Sequence, residues 1–179
     1  MKHVKKELPV SGGLRYFPIR PVYLVSMKHE TVQNIISIGM FAVFSGKPLL
    51  VGIGVAPSRY SFDLIRKSRE FVVNAVDEKL TDAVEICGEK SGRDIDKFQA
   101  AALTPTKALK VNAPLIEESP VSIECKVIKE VEAGDHVWFI GEVLAAHLRE
   151  GYDWKDGILL KWVGEDGFYH KVGAKVRDY

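Results

Sequence analysis

The sequence predicts a mainly β fold: an antiparallel barrel, closed or nearly closed, that carries a few short peripheral helices. About eight short segments rich in Val, Ile and Phe are separated by Gly, Pro and Ser turns, as strands are. Helical patterns are few and cluster in the middle of the chain. They do not alternate regularly with strands, which argues against a doubly wound parallel sheet.

The first strands are short apolar runs, which predict strands that are covered on both faces. They occupy residues 21–27, 35–44, 49–55 and 71–76.

Three short helices are predicted between residues 61 and 105. Ser61 is the expected N-cap of the first, which ends at residues 67–68. The second covers residues 79–87, with Gly88 as its stop. A third follows residues 91–93 and ends at residues 104–105, and its apolar face consists of Ile95, Phe98 and Ala102.

The last third of the chain has the pattern of hairpins. From Val121 apolar and polar residues alternate, and after a turn at residues 132–135 a second strand is expected from His136 to about His147. A C-terminal hairpin is predicted over residues 157–173.

Size, charge and cysteine usage narrow the class of protein. The chain has 179 residues, 46% of them hydrophobic, so we expect one domain over residues 1–179. A net charge of +1 argues against nucleic acid as a partner. No apolar run reaches the roughly 20 residues of a membrane span and the N-terminus lacks the pattern of a signal peptide, so no membrane association is expected. Cys87 and Cys125 lie far apart in apolar stretches, which predicts buried thiols in a cytoplasmic protein.

The common catalytic motifs are absent from the sequence. It contains no GxSxG, HExxH or Walker A pattern, and the short Gly52-Ile53-Gly54 motif has Pro57 where a dinucleotide loop needs its third glycine. The five histidines lack metal-ligand spacing, so no metal site is expected.

One segment is suited to hold a phosphate group. Ser58, Arg59 and Ser61 follow a buried-type strand and precede a helix, whose N-terminus carries free N–H groups and partial positive charge. The alternative is that Ser61 only caps its helix and Arg59 lies in solvent.

A second segment, residues 31–48, places small and polar residues inside apolar strands. Gly39, Ala42 and Ser45 would let a flat ligand approach the backbone, and Asn34 and Ser37 could bond the edge of a heterocycle. The alternative is a β-bulge or a barrel corner.

The chain resembles a known family, the flavin reductase-like, FMN-binding split-barrel proteins, and within it the flavoredoxin-type branch. The resemblance covers residues of about 18–150. Its most specific parts are residues 59–65 (RYSFDLI) and 91–98 (SGRDIDKF), and residues 21–26, 34–37, 45–51, 70–74 and 124–126 add to it.

The resemblance implies a homodimer of Greek-key split barrels, each with noncovalent FMN near the dimer interface. Residues 34–37 and 42–45 would lie along the isoalloxazine ring and ribityl chain, and Ser58, Arg59 and Ser61 would meet the phosphate. The full set of cofactor-binding residues that it implies is Thr31, Gln33, Asn34, Ile35, Ser37, Ala42, Val43, Phe44, Ser45, Lys47, Ser58, Arg59, Ser61, Arg93, Lys97 and His170.

Two positions depart from the pattern of this family. Residues 40–41 are Met-Phe where many members carry Trp-Phe, which changes the wall beside the ring. Ser61 stands where Thr is usual, which keeps the hydroxyl.

The function implied is that of an NAD(P)H-dependent flavin reductase or a flavoredoxin-like electron-transfer protein. Hydride would arrive at the flavin N5, so no catalytic side chain is expected. A module that binds FMN without redox turnover, and a structural barrel without flavin, remain the alternatives.

Overall fold

The structure is a computed structural model that describes residues 7, 9–10, 19–153, 160–162 and 169–170. Most of this part of the chain is β-structure. The strands are β1 (Ile19–Pro21), β2 (Tyr23–His29), β3 (Val32–Ile38), β4 (Phe41–Gly46), β5 (Leu49–Val55), β6 (Glu70–Ala75), β7 (Pro105–Thr106), β8 (Leu115–Ile116), β9 (Val121–Ala133), β10 (His136–Leu148), β11 (Leu160–Trp162) and β12 (Tyr169–His170). The helices are α1 (Tyr60–Ser68), α2 (Thr81–Glu89) and α3 (Lys97–Ala100), with a 3₁₀ turn at Glu78–Leu80.

The main sheet is antiparallel, has seven strands and closes on itself. Its order is β3-β2-β6-β9-β10-β5-β4, so that β3 and β4, which follow one another in the chain, form opposite edges. The edges of a flat sheet of this size would stand about 29 Å apart. Residues 39–40 alone connect them and reach about 11 Å. The sheet must therefore curl so that the end of β3 lies near the start of β4, and no pairing between these two strands is formed in the described residues.

The connection from β5 to β6 makes the topology a Greek key. It carries α1 and passes over β9 and β10, which lie between the two strands in the sheet. The predicted fold class, a mainly β Greek-key split barrel with a few short helices, is thereby confirmed.

The interior of the barrel is filled by alternate side chains of the strands and by α1. Phe71, Phe139 and Ile53 are fully buried, and Phe62 and Ile65 of α1 pack against this core. Burying each large apolar side chain contributes roughly 1.5–3 kcal/mol, so these residues account for much of the stability of the fold.

A second layer covers the outer face of β2, β3 and β6. Leu24 and Ile35 of the sheet pack there against Leu80, Val84 and Phe98. Residues 104–119 extend this cover, because Asn74, Ser122 and Glu124 of the sheet bond to groups of that segment or to one another. No helix in the described part of the chain is long and apolar enough to cross a membrane.

The structure corrects two of the strand predictions. Residues 35–44 are not one strand, since the chain leaves β3 after Ile38 and enters β4 at Phe41 on the opposite edge. Strand β4 is not covered on both faces, because Val43 is 65% and Phe44 49% exposed. A prediction of burial from apolar content fails at β4, because it is an edge strand that pairs with β5 alone in the described residues.

The helix predictions also need correction. Ser61 is not the N-cap of α1, because the helix begins at Tyr60 with Arg59 in the capping position. Helix α2 runs through Gly88 to Glu89, so Gly88 does not stop it.

The third helix is much shorter than predicted, at Lys97–Ala100, because Asp96 caps it and the chain leaves the helix at Ala101. Ala102 lies outside it with a positive φ of 51°.

The C-terminal prediction is only partly covered by the described residues. Within 157–173, β11 pairs antiparallel with β12, and β11 also pairs with β1. The rest of this predicted hairpin lies outside the described residues. Cys87 and Cys125 are buried free thiols, as predicted.

Candidate functional site

A groove runs along the outer edge of β3, which has no strand neighbour on that side. Two adjoining cavities, of about 140 and 370 Å³, form the groove and share Gly88 and Glu89 of α2. The smaller cavity lies against Asn34 and the larger against Gly39, so together they follow the strand. We call the smaller cavity the cationic end and the larger one the Gly39 end.

Four cations line the cationic end, and only one carboxylate accompanies them. The cations are Arg59, Lys90, Arg93 and Lys97, and the carboxylate is that of Glu89. Within the described residues no ion pair is formed by any of these four cations. Such a concentration of uncompensated positive charge at one end of a groove favours a bound anion.

Lys97 is the buried member of this set. It is 5% exposed, and its Nζ donates to the backbone oxygen of Cys87 at 2.7 Å. The side chain of Asp96 fixes the start of α3 by accepting the N–H groups of Phe98 and Gln99. Burial lowers the pKa of Lys97; the neighbouring Cys87 opposes this shift, and the charge of Arg59 adds to it.

Cys87 does not compensate the charge of Lys97. Burial raises the pKa of the Cys87 thiol to about 11, so the group is protonated and neutral near pH 7. The ammonium therefore has a carbonyl oxygen beside it and no described anion in contact.

Asn34 and Ser61 form the neutral polar wall of the cationic end. The Nδ2 of Asn34 donates to the Oγ of Ser61 at 2.9 Å, and both residues are 2% exposed. Because Oγ accepts here, the hydroxyl hydrogen of Ser61 remains available to a ligand, and no described group accepts it. No described side chain caps α1, and the amides of Tyr60 and Ser61 have no described acceptor, whereas that of Phe62 donates to the backbone oxygen of Arg59 at 3.0 Å.

The loop of residues 90–96 closes the cationic end. A Cβ built on Gly92 would lie 2.2 Å from Oδ1 of Asn34, so only glycine permits this close approach. Arg93 reaches back to α1, where its NH1 donates to the backbone oxygen of Ser58 at 3.5 Å and its Cζ lies 5.2 Å from the ring centroid of Tyr60.

The Gly39 end has both apolar and polar walls, and the carboxylates of Glu85 and Glu89 are among the polar groups. Val22 and Val84 lie on its walls, together with Tyr169. Burial raises the pKa of the Tyr169 hydroxyl, and the charges of Glu85 and Glu89 raise it further. Since β3 is an edge strand, alternate backbone groups point towards the groove and are free to bond polar atoms of a ring.

Comparison with known proteins identifies the family. The family model described as "Flavin reductase like domain" matches residues 15–163. This chain belongs to that family. The resemblance found from the sequence motifs is thereby confirmed, and membership gives this flavin reductase-like protein a flavin-related function.

Two archaeal relatives match most of the chain. A protein of Archaeoglobus fulgidus is 36% identical over 79% of this chain and 77% of its own length. A protein of Pyrococcus abyssi is 35% identical over 79% of this chain and 80% of its own. Neither carries a functional name.

Solved structures share the fold. The flavoredoxin of Methanosarcina acetivorans superposes with a TM-score of 0.83 at 24% identity, over 99% of this chain and 94% of the other. An FMN-binding protein of Thermus thermophilus superposes with a TM-score of 0.82 at 25% identity, over the full length of both chains.

The groove of this flavin reductase-like protein brings together some of the predicted site residues. Those that line the cationic end are Asn34, Ser58, Arg59, Ser61, Arg93 and Lys97. They come from β3, from the start of α1 and the residues before it, and from the start of α3 and the loop before it, and the fold brings these three segments together.

Three other predicted residues of β3 contribute less. Ile35 is fully buried beneath α2, so only its backbone can reach a ligand. The hydroxyl of Ser37, at the Gly39 end, is used internally, since it donates to the backbone oxygen of Val84 at 2.5 Å. Gln33 is exposed and does not line either cavity, nor does Thr31 in the turn before β3.

The predicted residues of the β4–β5 hairpin lie away from the groove. They are Ala42, Val43, Phe44, Ser45 and Lys47. A register shift between Val43 and Ser45 marks a β-bulge, the alternative left open for this segment. The ring of Phe44 packs over Gly52, where a Cβ would lie 2.4 Å from it, and beside Trp138. Within one chain these residues face outward.

Residue His170 lies in β12, but its side chain is outside the described part of the structure.

The sequence reasoning missed several residues of the groove. They include Gly88, Glu89, Lys90, Gly92 and Tyr169. Gly92 could have been predicted from the sequence, because it lies within residues 91–98, one of the two motifs most specific to the resemblance.

Proposed function

We propose that this chain binds FMN noncovalently in the groove along β3, with the phosphate at the cationic end. The observation that supports this most is a set of cations, none of which has an ion-pair partner in the described part of the chain, around two buried polar groups, Asn34 and Ser61. A phosphate monoester carries nearly two negative charges near pH 7 and several acceptor oxygens, which is the complement of this donor set.

Each residue has a distinct role in this proposal. The hydroxyls of Ser58 and Ser61 and the first amides of α1 donate hydrogen bonds to the phosphate. Arg59, Arg93 and Lys97 neutralise its charge. The ring lies towards the Gly39 end, where Val22 and Val84 contact it and the free edge of β3 orients its polar atoms.

The activity we propose is that of an NAD(P)H-dependent flavin reductase or a flavoredoxin-like electron-transfer protein. Bound flavin supplies the hydride and electron chemistry. The chain's own residues bind and orient it, and no side chain is required as acid, base or nucleophile. A ferric-chelate reductase (NAD(P)H) of Archaeoglobus fulgidus, 26% identical over 58% of this chain and 61% of its own length, supports a nicotinamide donor.

We also propose that the chain acts as a homodimer. The exposed Val43 and Phe44 on edge strand β4, with Leu49 after the turn, form an apolar surface that a second copy would cover. When a second copy covers β4, the residues of this strand would lie near the groove of that copy. This agrees with the resemblance, which implies that residues of β4 bind the cofactor. A cytoplasmic location stays a prediction.

The absorption spectrum of the purified protein tests cofactor and activity together. With FMN as a prosthetic group the protein is yellow and contains near-stoichiometric FMN, whereas with FMN as a substrate it is colourless and binds added FMN. Anaerobic addition of NADH or NADPH then bleaches the flavin band. If FMN binds but neither donor bleaches the flavin band, the chain is instead an FMN-binding module without redox turnover. If FMN does not bind, the proposal is wrong.

A further inference from the structure

Lys97 occupies a position that an ammonium group rarely has without a counter-ion. It is 5% exposed and has three N–H donors, of which one reaches the backbone oxygen of Cys87. A buried charge normally persists only when it is paired, because removing it from water costs several kcal/mol.

The groups that face Lys97 are mostly cationic or neutral. Arg59 lies before α1, and Arg93 and Lys90 belong to the closing loop. Helix α2 offers the neutral thiol of Cys87 and, at its end, the exposed Glu89, while Tyr60 and Asn34 add uncharged polar groups. Within the described residues the proton on Lys97 is therefore stabilised by the carbonyl oxygen of Cys87 but by no ion pair when the groove holds no anion.

We infer that binding of the flavin phosphate is coupled to protonation of Lys97. This inference rests on the proposed function, and it adds a proton to the binding reaction. At a pH between the pKa of Lys97 in the free protein and its pKa in the complex, the amine takes one proton from solvent on binding, and the resulting ammonium pairs with the phosphate dianion in the cationic end. No bond of the flavin changes and no oxidant or reductant is needed.

The direction of the pH dependence follows from linkage. Burial and the charge of Arg59 lower the pKa of Lys97 in the free protein, whereas a bound phosphate raises it. Between these two values the free protein must take up a proton in order to bind. The affinity for FMN therefore falls as the pH rises through this window, by up to about tenfold per pH unit.

Calorimetric titration of the protein with FMN tests the coupling. It is performed at several values between about pH 7 and pH 10 in pairs of buffers with different protonation enthalpies. We expect a buffer-dependent enthalpy that reports uptake of up to one proton per FMN at alkaline pH, and an affinity that declines there. Riboflavin, which shares the ring but lacks the phosphate, is expected to show neither effect.

Substitutions at Lys97 distinguish the effect of its charge on FMN affinity from the uptake of a proton. Lys97→Arg keeps a permanent charge and should bind FMN without proton uptake at any of these pH values. Lys97→Met should bind FMN weakly at every pH, also without uptake. Cys87→Ser and Tyr60→Phe each remove another titratable group of the cationic end and should retain the uptake. Circular dichroism establishes that each variant is folded.

The outcomes distinguish this inference from the proposed function. Tight binding of FMN with no buffer dependence and constant affinity overturns the coupling but leaves the proposed function intact. Proton uptake that persists in Lys97→Arg assigns the proton to another group and also overturns it. If the folded wild type binds FMN at no pH, both proposals fail.

Discussion

The Nδ2 amide of Asn34 donates to the Oγ of Ser61 at 2.9 Å, which joins the edge of the barrel to the first turn of α1. The same Asn34 lies against Gly92 of the closing loop. One amide side chain on β3 therefore contacts both the start of α1, beside Arg59, and the closing loop, which carries Arg93. Replacing Asn34, which carries no charge, therefore tests the phosphate-binding proposal.

Replacing Asn34 with Ala should weaken FMN binding several-fold. The change leaves Ser61 without its donor and opens a gap beneath the loop, so the groups around the phosphate lose their alignment. Loss of this buried hydrogen bond should also lower the free energy of unfolding by about 1–2 kcal/mol. Fluorescence titration with FMN and urea denaturation measure the two effects.

Gln33 provides the matched control for this change. It is the neighbouring residue on β3 and is exposed outside both cavities, although the family resemblance includes it among the binding residues. Gln33→Ala should leave FMN affinity unchanged. An equal loss in both variants would contradict the groove as the site.

Removing the charge of Arg59 should weaken binding of FMN but not of riboflavin. Arg59→Ala deletes a cation that has no ion-pair partner among the described residues, so the loss should be about tenfold or more for the phosphate-bearing flavin. The affinities for both flavins are measured by fluorescence quenching at one fixed ionic strength.

Arg66 of α1 serves as the control, because it lies on the same helix but pairs with Glu130 at 3.2 Å. Arg66→Ala should not change the ratio of FMN to riboflavin affinity. If Arg59→Ala leaves that ratio unaltered as well, the phosphate does not lie at the cationic end.

Gly92 should not tolerate even a methyl group. Gly92→Ala places a Cβ against Oδ1 of Asn34, so the closing loop must shift away from the groove. We expect a clear loss of FMN affinity, with a small effect on thermal stability because the loop is partly exposed. Gly46→Ala, where the added Cβ meets nothing within 4 Å, should behave like the wild type. Unchanged affinity in Gly92→Ala would mean that closure of this loop is not needed for binding.

Much of the fold could be predicted from the sequence, because periodicity and turn residues act locally. Strand β5 and the hairpin of β9 and β10 lie where the patterns place them. The break at residues 39–40 could not be found this way, since it is imposed by closure of the barrel. The short α3 depends on the cap at Asp96, which a pattern of apolar spacing does not reveal.

In the candidate site, too, some contacts could be predicted from the sequence and others depend on the fold. Ser58, Arg59 and Ser61 are contiguous with a helix start, so their proximity is a local property that the sequence carries. Burial of Lys97 and the contact between Gly92 and Asn34 arise only when the loop folds back onto β3. The residues of the β4–β5 hairpin lie outside the groove of a single chain, and a partner subunit is the proposed reason for their place in the resemblance.

A charge on strand β4 should disrupt the proposed homodimer. Val43 is 65% exposed on an edge strand, so Val43→Lys would place an ammonium within the interface. We expect a monomer by analytical ultracentrifugation, with weaker FMN binding because the partner no longer covers the groove. Leu109→Lys, at a residue that is 75% exposed elsewhere, is the control and should remain dimeric. A monomeric wild type would refute the dimer directly.

Glu124 should make the stability of the fold sensitive to acid. It is fully buried, and its carboxylate accepts the N–H groups of Leu109 at 2.8 Å, Lys110 at 2.6 Å and Val111 at 3.0 Å. The Nε2 of His147 lies 2.6 Å from the same carboxylate. Burial alone would raise the pKa of Glu124, but these hydrogen bonds outweigh it and lower the pKa below the usual value.

A lowered pKa in the folded state means that the unfolded chain binds the proton more readily. The stabilisation is therefore complete above the ordinary glutamate pKa, about 4.3, and is lost as the pH falls through the lower, folded value. Glu124→Gln should cost about 1–3 kcal/mol near pH 7, because an amide cannot accept all of these hydrogen bonds. The difference from wild type should shrink in acid, as measured by urea denaturation at about pH 7 and about pH 3. Glu132→Gln, an exposed change in the β9–β10 turn, should show no such trend, and a difference for Glu124→Gln that stays constant with pH would assign the acid sensitivity to other groups.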